Sequence, residues 1–193
     1  MALRQFAELY PDEEQPAVRW LPFQLNPDLP AAGISRADYI LRKFGERDSS
    51  RYNRVAMVGK SVGLDMAFDK IMVQPNTVKA HRLIHHAGEL GKQDAVAEAL
   101  FRAYFVEGAN LTDSAVLADY AAQAGLDRGE IAAYLDGDKD ADLIRSADTE
   151  ARQAGIEGVP FFIFNRKIGV SGAQDPEALL QAMQQARDAN RSM

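Results

Sequence analysis

The sequence predicts an α/β fold in which a long helical insertion divides one sheet, and three observations carry that prediction. From Gly158 onward the chain spells strand, hairpin, strand and helix. Between about Ser35 and Gly155, apolar residues recur at helical spacing, with no comparable strand pattern. Ahead of that insertion stand a short helical pattern and one extended segment.

In chain order, Leu3, Phe6, Ala7 and Tyr10 form one apolar helical face that stops at Pro11, and Ala17–Leu25 reads as a strand. Ser35, with Asp38 three residues on, resembles a capping box, followed by Tyr39, Leu41 and Phe44 on an apolar face. Ala80, Leu83, Ile84, Ala87 and Leu90 make a stripe ended by Gly91; Ala97, Leu100, Phe101, Tyr104 and Phe105 make the next, ended by Gly108. Val116, Leu117, Tyr120, Ala121 and Ala124 stop at Gly125, and Asp127 with Glu130 opens a helix carrying Ile131, Tyr134 and Leu135. Leu143, Ile144, Ala147, Ala151 and Ala154 lead back towards the sheet.

At the C-terminal end, Val159 precedes a proline, which pushes its backbone towards extended conformations and makes a cis bond cheap. A cis bond here turns the Val159 N–H and C=O towards a facing ligand or peptide. Phe161–Phe164 is a fully apolar run, as expected of a strand buried on both faces. Asn165-Arg166-Lys167 is a tight polar turn, and Ile168-Gly169-Val170 is the return strand. Asp175 caps a helix that starts at Pro176 and buries Leu179, Leu180, Met183 and Ala186. The expected organisation is a sheet domain in two parts, 1–34 and 156–193, around a helical subdomain, 35–155.

A net charge of −6 and a pI near 5.1 argue against nucleic acid as the main partner. No apolar run reaches the roughly 20 residues that span a bilayer, and Met1–Tyr10 lacks the apolar core of a signal peptide, so a soluble, cytoplasmic protein without membrane partners is expected. The chain has no cysteine, which excludes disulfides and thiolate metal sites within it. Three lesser signals are discounted. Gly59-Lys60-Ser61 ends like a phosphate loop, but Arg54 stands where that motif needs glycine. Asp136, Asp138, Asp140 and Asp142 imitate a calcium loop, but Ala141 and Ala147 occupy the positions that need Gly and Glu. His81 and His85 share a helical face without an evident third ligand, so no metal site is expected; His81 is read as packed or hydrogen-bonded, His85 and His86 as facing solvent.

Several longer runs point to a family. They are Val18-Arg19-Trp20-Leu21-Pro22-Phe23-Gln24-Leu25-Asn26-Pro27, Pro75-Asn76-Thr77 with His81-Arg82-Leu83, Phe101-Arg102-Ala103-Tyr104-Phe105, Gly158-Val159-Pro160-Phe161 and Val170-Ser171-Gly172-Ala173-Gln174. Across nearly its whole length the chain resembles the DsbA-like proteins of the thioredoxin fold, most closely their FrnE-like cytoplasmic branch. The resemblance implies a thioredoxin-like fold with a large helical insertion and a thiol-disulfide oxidoreductase activity. It also implies a backbone edge at Val159 and Pro160 that holds a protein disulfide or thiol substrate, with no cofactor required. Glutathione-using relatives, the kappa-class transferases and 2-hydroxychromene-2-carboxylate isomerases, add Asn26, Ser171 and Gln174 as substrate contacts and glutathione as an alternative substrate.

The chain departs from the family at its start. Members begin with a strand and a Cys-x-x-Cys motif at the first helix, where the helix N-terminus lowers the first thiol's pKa. Here Met1 falls inside that helix, so the first, central strand is missing, no catalytic residue is assigned, and the chain as given is expected to be inactive. That strand would lie between Ala17–Leu25 and Phe161–Phe164, and its loss leaves two strands roughly 10 Å apart. The expectation is a natural frame that starts roughly 20 residues upstream; the alternatives are a glutathione-dependent isomerase or transferase-like protein, as the resemblance to those relatives implies, a redox-dead peptide-binding paralogue, or a self-associating homodimer that exchanges strands.

Overall fold

The computed structural model describes residues 1–45 and 52–191; residues 46–51 of the predicted insertion lie outside the described residues. In chain order the elements are α1 (Ala2–Leu9), β1 (Ile34–Ser35), α2 (Arg36–Phe44), α3 (Asn53–Ser61), β2 (Val73–Gln74), α4 (Val78–Glu89), α5 (Gln93–Arg102), α6 (Ser114–Gln123), α7 (Arg128–Asp136), α8 (Ala141–Gln153), β3 (Phe161–Phe164), β4 (Ile168–Ser171) and α9 (Pro176–Arg191). Contacts divide the chain into two units, Arg19–Asp148 and Met1–Val18 with Thr149–Met193. Among the described residues the strands form two separate two-stranded sheets, β1 with β2 and β3 with β4.

The larger unit is built on α4 to α7. Leu83, Val96, Leu100, Leu117, Ile131 and Leu135 are all but inaccessible to water and form one core. Three helices of this unit, α2, α6 and α7, begin where a polar side chain caps them: Ser35 Oγ accepts from Asp38 N–H at 3.2 Å, Asp113 Oδ1 from Ala115 N–H at 2.8 Å, and Asp127 Oδ1 from Glu130 N–H at 2.8 Å. On α2 the inward residue beside Tyr39 is Ile40, while Leu41, expected inside, is exposed. After α5 the helix widens into a single π turn, Ala103–Glu107, which stops at Gly108. Gly108 has φ +73°, and a Cβ there would sit 2.5 Å from the Lys70 carbonyl oxygen, so no other residue fits without a shift. The π turn brings Glu107 to Tyr120, whose hydroxyl donates to Glu107 Oε2 at 2.5 Å; that bond pushes the phenol's pKa up to about 12.

Arg82 is buried in this unit and, among the described residues, has no acidic partner. Its Nε donates to the Lys139 carbonyl at 2.7 Å and its Nη2 to the Tyr134 carbonyl at 2.8 Å, while the guanidinium lies 4.9 Å from the Tyr134 ring centre. A cation thus caps the carbonyl end of α7, where the helix dipole favours positive charge. His86, expected to face solvent, instead stacks on Tyr134 at 4.4 Å and 18° and bonds Glu89.

Two sequence expectations about strands are corrected. The insertion is not free of β structure: β1 and β2 pair antiparallel, with Ile34 opposite Gln74 and Ser35 opposite Val73. Conversely, Ala17–Leu25 forms no strand. A strand exists only against another backbone, and here helix side chains take that place. Gln93 imitates a neighbouring peptide unit: its Oε1 accepts from Trp20 N–H at 3.0 Å and its Nε2 donates to the Trp20 carbonyl at 3.2 Å. Further along, Asp148 Oδ1 accepts from Gln24 N–H at 2.6 Å, and His81 Nε2 lies 3.2 Å from the Phe23 carbonyl.

The smaller unit packs α1 on α9. Phe6, Ala2 and Met183 form its buried centre, joined by Tyr10, Phe164, Leu179 and Leu180. Arg187 of α9 lies 3.8 Å from the Tyr10 ring centre, and Gln184 Nε2 donates to Tyr10 Oη at 3.1 Å. The hairpin of β3 and β4 is tied to α9 at its turn, where Asn165 Nδ2 donates to the Ala186 carbonyl at 3.3 Å.

Candidate functional site at the edge of the hairpin

β3 pairs antiparallel with β4, Phe161 opposite Ser171 through Phe164 opposite Ile168. The turn forms as its residues predict: Asn165 and Arg166 take φ of +49° and +57°, and Lys167 N–H bonds the Phe164 carbonyl at 3.0 Å. Just before β3 the Val159–Pro160 bond is cis. Gly172 N–H donates to the Pro160 carbonyl at 2.8 Å, which extends the ladder by one step. Ladder bonds alternate along an antiparallel pair, so Phe162 and Phe164 bond across to β4. Phe161 and Ile163 therefore send their N–H and C=O groups to the opposite edge of β3. No strand pairs with that edge among the described residues.

Val159 shares this parity. Its N–H and C=O have no hydrogen-bond partner among the described residues, and its side chain is 46% exposed. The expectation that β3 is buried on both faces is corrected: Phe164 joins the α1–α9 cluster, but Ile163, on the other face, is 49% exposed. Among the described residues β3 pairs with one strand and meets one helix layer, which leaves Ile163 as the exposed member of the run. On that face a Cβ at Gly169 would lie 3.0 Å from the Phe161 ring, so the glycine makes room for an aromatic neighbour. Gly169→Val should cost about 1–3 kcal/mol through overpacking, read as a lower urea midpoint; an unchanged midpoint would show that Phe161 has room to swing away.

The remaining expected contacts divide between the two units. Ser171 pairs with Phe161 and precedes Gly172, whose N–H bonds the Pro160 carbonyl, and Gln174 Nε2 donates to the Ser171 carbonyl at 2.9 Å. Ser171 Oγ has no hydrogen-bond partner among the described residues, so no base activates it as a nucleophile. Asn26 belongs to the larger unit, in a turn where its carbonyl accepts from Leu29 N–H at 3.3 Å. Sequence reasoning did not single out Gln93, Asp94 or Asp148, the residues that hold Trp20 and Gln24; a carboxylate 124 positions away gives no local signal. Among the described residues, no three His, Asp or Glu side chains gather as metal ligands, and no helix is long and apolar enough to cross a membrane.

A paired hairpin with a cis-proline before it, an open strand edge and an inserted helical unit together define a thioredoxin-type domain. The model of the DsbA-like thioredoxin domain matches residues 1–184, and the chain belongs to that family. It is similar to a crystal structure of a probable DsbA oxidoreductase from Streptomyces coelicolor, with 28% identity and a TM-score of 0.84 over 97% of this chain and 82% of that one. A second crystal structure, from Nitrosomonas europaea, shares the fold, with 15% identity and a TM-score of 0.59 over 97% and 87% of the two chains. An uncharacterised protein of Bacillus subtilis, YwbO, is 25% identical over 167 residues, 86% of this chain and 80% of that relative. The family places the chain in the thiol-disulfide oxidoreductase class, although it contains no sulfur that could exchange as a thiolate.

Proposed function

We propose that the chain serves thiol-disulfide exchange by holding an extended cysteine-containing polypeptide along the free edge of β3, centred on Val159. The unpartnered Val159 N–H and C=O are the observation that carries this reading. A peptide strand laid there gains backbone hydrogen bonds from Val159, Phe161 and Ile163, the economy of strand addition. In the exchange itself a thiolate attacks one sulfur of a disulfide, a new S–S bond forms, and the other sulfur leaves as thiolate. Both electron pairs and sulfurs balance within that step, and these 193 residues supply none of the sulfurs. The nucleophilic thiol belongs to another polypeptide segment or to a small thiol such as glutathione. The loop beside Pro160 favours glutathione as a second substrate class, because Ser171 Oγ and the Gln174 amide can meet a γ-glutamyl head.

The test uses an extended peptide carrying one cysteine, titrated into isotopically labelled protein. The Val159, Phe161 and Ile163 amide resonances should move together. Val159→Pro, which removes one donor, should weaken binding by roughly two- to tenfold. Resonance changes confined to other elements, or equal affinity in Val159→Pro, would sink the reading. In an insulin-disulfide reduction assay the chain alone should give no acceleration.

A further inference from the structure

The larger unit buries a second arginine, and this one leaves a whole edge of its guanidinium unused. Arg36 opens α2 directly after β1, and its N–H bonds the Met72 carbonyl at 2.9 Å. The β1–β2 pairing sets Gln74 opposite Ile34, two positions before Arg36, and Arg36 Nη1 donates to Gln74 Oε1. Arg36, Tyr39 and Gln74 are each 9% exposed, and Tyr104 is 8% exposed. The guanidinium carbon lies 4.6 Å from the Tyr52 ring centre and 5.3 Å from that of Tyr39. Nε is buried with no hydrogen-bond partner, and Nη2 makes no hydrogen bond among the described residues. Arg82 shows what this edge ordinarily does, since there Nε and Nη2 each hold a carbonyl oxygen.

Burial does not remove the charge, because an arginine stays protonated inside a protein. Among the described residues no carboxylate neutralises Arg36. The neighbouring phenol does not either: burial pushes Tyr104 up to about 12 against the pull of the Arg36 charge, so its hydroxyl is neutral. Lys43, whose Nζ donates to the Tyr39 hydroxyl at 3.1 Å, is exposed, and water balances its charge. Arg36 is thus the cation that solvent reaches least. Ring faces offset part of the cost of burying it, and an anion on the open edge would offset far more.

We propose that Arg36 anchors a carboxylate-binding site, in which the two oxygens of one carboxylate accept from Nε–H and Nη2–H. These two donors point the same way in one plane, at the spacing of carboxylate oxygens. One unbalanced positive charge calls for one negative charge; a dianion would leave its second charge buried and unpaired. Tyr52 is only half-buried, and the ligand enters past its ring. The site belongs to the larger unit and stands whether or not a peptide binds beside Val159.

The test titrates sodium acetate into isotopically labelled protein at constant ionic strength, with sodium chloride titrated separately. The Arg36 Nε–H resonance should move downfield and saturate with a Kd of about 1–10 mM, within what so small a ligand can reach. The Arg82 Nε–H, already bonded to a carbonyl, should stay in place. This comparison needs no variant to fold. Acetyl-dialanine with a free C-terminus should bind like acetate, and its C-terminal amide should not bind; a peptide acid tenfold tighter than acetate would identify the ligand as a chain end. Arg36→Lys keeps the charge but lacks the planar fork, and should weaken acetate at least tenfold, read at the Ala37 and Tyr39 amides. The proposal is overturned by an Arg36 resonance that does not respond, by a response that never saturates or is matched by chloride, or by equal affinity in Arg36→Lys. Saturation by inorganic phosphate but not by acetate would also overturn it.

Discussion

Arg82→Ala should lower the unfolding free energy by about 3 kcal/mol, because it removes two hydrogen bonds from a charged donor, each worth about 1.5–3 kcal/mol. The loss is local in origin: the Tyr134 and Lys139 carbonyls at the end of α7 are left without a donor, and the Tyr134 ring loses the guanidinium. With a urea slope of about 2 kcal/mol/M, the midpoint should fall by about 1.5 M. Arg82→Lys should recover only part of it, since an ammonium cannot reach two carbonyls with one planar fork. A loss below about 1 kcal/mol would mean that water replaces the guanidinium and that the cap is dispensable.

Phe6→Ala is the second large effect and acts on the smaller unit. Phe6 is nearly fully buried and joins Ala2 and Met183 in a cluster with few other members, so the cavity has little to collapse into it. The expected cost is about 3–5 kcal/mol. Because that cluster includes Phe164, the hairpin should loosen with it: hydrogen exchange should accelerate at Phe162, Phe164, Val170 and α9, while the α4 to α7 amides stay protected. Equal acceleration in both units would show that they unfold as one, and peptide binding at Val159 should weaken in step with hairpin protection.

How far the sequence carries depends on how local each cause is. Asp127 with Glu130, Asp113, and the glycines that follow α4, α5 and α6 act within four or five residues, and those helices stand where they were expected. The hairpin was equally legible, since Asn165 and Arg166 need only each other and the flanking apolar runs. Ala17–Leu25 failed as a strand because pairing is a property of two segments, and the partners turned out to be side chains 73 and 124 residues away. The exposure of Ile163 was hidden for the same reason: an apolar run does not say how many layers cover it. Of the candidate site, Val159 and Pro160 were singled out from the X-Pro pair, whereas Ser171 and Gln174 rest only on the resemblance to glutathione-using relatives. The unpartnered state of Val159 became visible only with every hydrogen bond in place.

The π turn at Ala103–Glu107 works as a phase adjuster. One extra residue per turn lets α5 follow its seam against α4 up to Arg102, after which Phe105 and Glu107 answer to Phe68 and Tyr120 instead. Deleting a single residue there would turn everything beyond it by about 100° and pull Glu107 away from the phenol.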